Sequence, residues 1–85
     1  MKNKLEIIKK KLIYRAGYRG TKEMDILLSS FVNKYIDTLD NKLLKELEKF
    51  LNFEDEILLN YYQKNIVQKK IDKNPISKLF KKYKI

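Results

Sequence analysis

Residues 24 to 36 carry apolar side chains at Met24, Leu27, Leu28, Phe31, Val32, Tyr35 and Ile36. This three- and four-residue spacing lines one face of an α-helix and gives no support to strand alternation. A stripe this regular must be covered, and the rest of an 85-residue chain has to cover it. The same period recurs on both sides. Leu5, Ile8, Leu12 and Ala16, widened by Ile7 and Ile13, predict a first helix from residue 3 to about residue 18. Leu43, Leu44, Leu47, Phe50 and Leu51 predict a third over 41–51 with Asp40 as its cap. Leu58, Leu59, Tyr61 and Tyr62 predict a fourth, with Asp55 read as its cap and its end left open within "QKNIVQKKI". Asn74 and Pro75 are a cap and a first-turn proline ahead of a short terminal helix, "ISKLFKKYKI". The expectation is an all-α fold: one domain over residues 1–85, a compact bundle of four to five short helices with two longer ones as its scaffold.

Composition narrows the chemistry. The chain has no histidine and no cysteine, so the usual general base near neutral pH, thiolate metal sites and disulfides are all absent. Glu23 and Asp25 stand two apart on a helix and diverge, which makes them a poor acid–base pair. No Gly-rich phosphate loop or nucleophile motif occurs, and a non-catalytic binding protein is expected. The apolar runs are too short for a signal peptide or a membrane span, so an intracellular protein is expected.

The net charge is +9, unevenly spread. Residues 1–22 carry eight basic groups and one acidic, residues 64–85 the same, and residues 23–63 four basic and nine acidic. Basic ends with Tyr14, Tyr18, Tyr61, Tyr62 and Tyr83 available for stacking keep a basic helical nucleic-acid-binding module as the alternative reading. The acidic middle opposes it, and no nucleic-acid partner is expected. The tail "KLFKKYKI" is read as a short solvated basic helix, with an amphipathic membrane-surface helix as its rival.

Both glycines and both arginines fall within "RAGYRG", residues 15 to 20. Gly17 and Gly20 are read as left-handed residues that end the first helix, Thr21 as the cap of the second, and Glu23 as a carboxylate favoured in its first turn. That describes an ordinary helix–helix corner with a solvated Arg19. It leaves unexplained why Arg15 and Arg19, whose planar donor forks suit carboxylate or backbone recognition, stand one turn apart beside Glu23 and Asp25.

The motif Arg19-Gly20-x-x-Glu23-x-Asp25 resembles the R-G-x-x-E-x-D signature of the SdhE-type succinate dehydrogenase assembly factors. The flanking "KKKLIYRAGYRG", "MDILLSSF", "ELEKFLNFED" and "LLNYY" resemble that family's segments in order, over about residues 9–63. Tyr61 stands where the family has Trp, and the basic segment 64–85 has no clear counterpart. The resemblance implies a five-helix bundle that binds the flavoprotein subunit of succinate dehydrogenase, or of the related fumarate reductase, and promotes its covalent flavinylation. It implies that the FAD is attached to the partner by the partner's own histidine and that this chain holds no cofactor stably. It implies that Arg19, Gly20 and Glu23 touch the flavoprotein near its FAD site and that Asp25 holds the turn. Arg15 and Tyr18 join them by proximity. It further implies a protein that is monomeric when free, cytoplasmic in a bacterium or in the mitochondrial matrix of a eukaryote, with no transit peptide visible. The basic segment after residue 63 is expected to be peripheral to this activity.

Overall fold

The computed structural model describes residues 4–84, and within them the periodic segments become five α-helices. They are α1 (Lys4–Ala16), α2 (Lys22–Tyr35), α3 (Asn41–Leu51), α4 (Asp55–Lys64) and α5 (Pro75–Lys82), with short 3-10 turns at Ile36–Thr38 and Ile71–Lys73. The expected start of the first helix at residue 3 lies outside the described residues, as does the last residue of the terminal segment. Thr21 caps α2 by accepting from the Met24 N–H, Asp40 caps α3 through Leu43, and Asn74 caps α5 through Ile76, with Pro75 in the first turn. These are the side-chain caps that the sequence predicts.

Three expectations fail. α1 ends at Ala16, two residues early, where the Gly17 N–H reaches both Ile13 O and Tyr14 O. Neither glycine adopts positive φ; among the described residues the left-handed ones are Asn65, Lys69 and Lys70. Asn65 ends α4 in that conformation, with the Ile66 N–H on Asn60 O at 3.2 Å, so a short polar side chain terminates this helix in place of glycine. Finally, Asp55 does not cap α4. Glu54 holds that position without a side-chain bond, because the Asp55 carboxylate is turned toward another part of the chain.

The core is aromatic, and its centre depends on the tail. Phe31 of α2 lies 5.9 Å from Phe50 of α3 and 5.1 Å from Phe80 of α5, ring centre to ring centre. Phe80 also meets Phe50 at 5.2 Å and stacks on Tyr62 of α4 at 4.7 Å. One ring from the last helix therefore joins three others. Ile71, Ile76 and Tyr83 are buried with it. The Asn74 amide donates to Glu46 O on α3 at 2.9 Å, and the Tyr62 hydroxyl donates to Tyr83 O at 2.6 Å. The described part of the basic segment, residues 64–84, is thus packed into the bundle. Its apolar face is already covered, which removes the membrane-surface reading of the tail. The Cα radius of gyration is 12.4 Å, close to the roughly 12 Å that compact-domain scaling gives for this length.

Tyr61 is also buried, with Lys81 Nζ 4.9 Å from its ring centre. Burial, and secondarily the nearby Asp72 charge, push its hydroxyl above the ordinary tyrosine value.

Candidate functional site

The signature residues sit where the α1–α2 corner meets the link between α3 and α4. That link leaves acceptors exposed by necessity, because the last carbonyls of a helix have no partner within it. Arg19 supplies donors. Its Nη1 reaches Leu51 O at 2.7 Å, its Nη2 reaches Phe53 O at 2.6 Å, and its Nε donates to Asp55 Oδ1 at 2.7 Å. The second Asp55 oxygen accepts from the Gly20 N–H at 2.8 Å. Arg15 joins the same region, with Nη2 on Asn52 Oδ1 at 2.6 Å. Both arginines therefore bind the C-terminal end of α3, where a cation also complements the helix dipole. Two arginines one turn apart in sequence thus serve one helix end.

Arg19 is not the solvated side chain of an ordinary corner. Its side chain is 11% exposed and that of Asp55 26%, so the pair is largely withdrawn from water. The Asp25 Oδ1 accepts from the Arg19 backbone N–H, and the Asp25 N–H in turn bonds Thr21 O at 3.0 Å. Gly20 is required by proximity and not by φ. A Cβ there would stand 3.0 Å from Asp55 Oδ2, whereas one at Gly17 would make only ordinary contacts of 3.7 Å and longer.

Glu23 differs from the rest of the motif. It is exposed, and no hydrogen bond or ion pair engages it among the described residues. It stands at the rim of a cleft between α2 and α4 whose other walls are Ile26, Leu27, Tyr62 and Gln63. Tyr18 is 70% exposed and stacks on Tyr14, itself 63% exposed, at 4.4 Å between ring centres. Of the tyrosines that a nucleic-acid reading would use, Tyr61 and Tyr83 are buried and Tyr62 is half-buried.

The structure thus brings Arg15, Arg19, Gly20 and Asp25 into one bonded corner and leaves Glu23 and Tyr18 facing outward. Sequence reasoning missed Asp55, which joins the two corners, and Tyr14 as the partner of Tyr18. Asp55 was visible as an acidic residue at a helix start, but that signal also describes a cap, and only the fold chooses between the two. The groups presented to solvent here are a carboxylate, aromatic faces and half-exposed apolar side chains. No cluster of metal-ligating residues occurs among the described residues, and no helix there is long and apolar enough to cross a membrane.

Comparison with known proteins gives this corner a family. No solved structure shows a significant match. Curated relatives include succinate dehydrogenase assembly factor 2, mitochondrial, of Meyerozyma guilliermondii, 35% identical over 71% of this chain and 44% of the relative. The protein of the same name from Danio rerio is 38% identical over 56% of this chain and 30% of its own length. The FAD assembly factor SdhE of Acetobacter pasteurianus is 36% identical over 62% of this chain and 49% of its own length. The chain spans less than half the length of the curated relatives it matches. The family described as "Flavinator of succinate dehydrogenase" matches residues 10–84, which includes the C-terminal segment that the sequence motifs left unmatched. With the match running through nearly every element of the fold, this chain belongs to the family of flavinators of succinate dehydrogenase.

Proposed function

We propose that this protein binds the flavoprotein subunit of succinate dehydrogenase and promotes the covalent attachment of FAD to it, as a binding partner and not as the catalyst. The observation that carries this reading is the family match over residues 10–84, joined to a signature corner whose members are tied to one another and present an unpaired Glu23. FAD would supply the electrophilic ring and the flavoprotein the nucleophile. This chain has no imidazole or thiol to bear the flavin, and in this reading it holds no cofactor of its own. Its contribution is geometric. Arg19 and Asp55 fix the turn, Asp25 and Thr21 fix the start of α2, and the face so formed holds the flavoprotein in the arrangement that lets its own groups react. Glu23, Gly20 and Tyr18 are the residues this reading places at the contact. Arg19, Asp25 and Arg15 hold the contact in shape from behind.

The test is deletion of the gene in its native host, followed by in-gel flavin fluorescence of the flavoprotein subunit, together with a pull-down on the tagged protein. Loss of covalent flavin and recovery of the subunit are expected. Unchanged flavin fluorescence in the deletion strain refutes the reading.

A further inference from the structure

The cleft between α2 and α4 has a composition that the signature motif does not explain. Its volume is about 270 Å³, and Glu23, Ile26, Leu27, Tyr62 and Gln63 line it. Leu27 is buried and Ile26 is 52% exposed, so the walls are apolar while the rim carries a carboxylate. In a chain of net charge +9 with 20 basic residues, Glu23 has no ion pair or hydrogen bond among the described residues. The ring that forms the α4 wall is fixed from behind. Tyr62 stacks on Phe80 at 4.7 Å and its hydroxyl donates to Tyr83 O at 2.6 Å. A half-buried aromatic held at both its face and its hydroxyl is a preorganised wall, and Phe80 of α5 and Tyr83 just beyond it hold it.

We propose that this cleft receives a single arginine or lysine side chain of the flavoprotein, whose cationic head pairs with Glu23 while its methylene stem lies between Ile26 and the Tyr62 ring. The inference rests on the proposed function and adds the class of partner residue and the second wall of its site. Charge complementarity selects the occupant. An acidic or purely apolar partner group would leave Glu23 repelled or desolvated without a partner, whereas a long cationic side chain offers an apolar stem for the walls and a charge for the rim. The Tyr62 face adds attraction for a cation passing over it. The C-terminal helix, remote in sequence from the signature, thereby becomes a support for partner recognition.

The experiment measures affinity for the purified host flavoprotein subunit, at low and high salt, with three versions of this protein: wild type, Glu23→Gln and Ile26→Lys. Ile26→Lys places a cation one helical turn from Glu23, where the two side chains can pair within the chain and close the cleft. Both positions are exposed, so thermal midpoints near that of wild type, with only the small helix-dipole loss for Glu23→Gln, are expected and check that folding is intact. Binding weaker by about tenfold or more is expected for each variant, with a smaller salt dependence for Glu23→Gln than for wild type. Ile26→Leu, which keeps the apolar wall, should bind as wild type does. Normal wild-type binding with Glu23→Gln and Ile26→Lys unaffected overturns the cleft alone. No binding by wild type overturns the functional reading and the cleft with it.

Discussion

Asp55→Asn tests whether the signature corner is a lock or merely a neighbourhood of charges. The Asp55 carboxylate accepts from Arg19 Nε at 2.7 Å and from the Gly20 N–H at 2.8 Å. An amide of the same shape keeps one accepting oxygen and turns an NH₂ toward the other donor, so one bond is replaced by a donor–donor conflict and the ion pair is lost. The magnitude follows from burial. An exposed ion pair contributes about 0 to 1 kcal/mol, and breaking a fully buried one costs about 3 to 5 kcal/mol. With side chains 11% and 26% exposed, this pair lies between those limits. Arg19 is not stranded by the change, because it keeps Leu51 O and Phe53 O. The expected loss is therefore about 2 to 3 kcal/mol, in the range of two charge-assisted hydrogen bonds. Against a total stability of roughly 4 to 13 kcal/mol for a domain of this length, that is a large fraction. It corresponds to a fall in Tm of about 10 to 20 °C. Thermal melts followed by circular dichroism measure it, and urea unfolding should show a lower midpoint at unchanged slope. Glu23→Gln is the internal control, since it removes an unpaired carboxylate and loses at most about 1 kcal/mol of helix-dipole stabilisation. A Tm for Asp55→Asn within about 3 °C of wild type, or equal effects of the two variants, would refute the lock.

Other outcomes follow from the same geometry. Gly17→Ala should be tolerated or stabilising by up to about 1 kcal/mol, because φ there is not positive and a Cβ makes ordinary contacts, while Gly20→Ala should lower Tm by forcing Asp55 away. Phe80→Ala should cost about 3 to 5 kcal/mol, and a chain ending at residue 73 should lose cooperative unfolding, because both remove the ring shared by α2, α3 and α4. A truncated chain with a sharp melt near that of wild type would contradict this. Tyr61 has a folded-state hydroxyl pKa raised above 10.0, mainly by burial. Its stabilising contribution is full below that unfolded value and is lost as pH rises through the folded one, because the unfolded chain releases its proton first. Tyr61→Phe should therefore remove part of the loss of stability seen in urea unfolding above about pH 10.

Local chemistry is enough to make the helices. Apolar spacing marks α2 and α3, an oxygen-bearing side chain with a free backbone N–H two or three residues on marks the caps at Thr21, Asp40 and Asn74, and Pro75 marks a first turn. Each of these acts over one helical turn and is present before any helix meets another. The family signature was legible for the same reason, since Arg19, Gly20, Glu23 and Asp25 lie within seven positions. The meaning of those residues was not local. Asp55 looked like a cap because a carboxylate at a helix start stabilises the dipole whether or not it also binds an arginine 36 positions away. Gly20 looked like a left-handed turn because no sequence pattern announces that a distant carboxylate will approach within 3.0 Å of its missing Cβ. The tail was expected to be peripheral to the activity because it has no clear counterpart to the family's segments, while the apolar side chains that pack it into the core, Ile71, Ile76, Phe80 and Tyr83, acquire their value only from the groups they meet. Helix formation depends on neighbours in the chain; which arginine is a lock, which carboxylate is left free and which ring closes the core depend on contacts across it, and only the packed structure selects those.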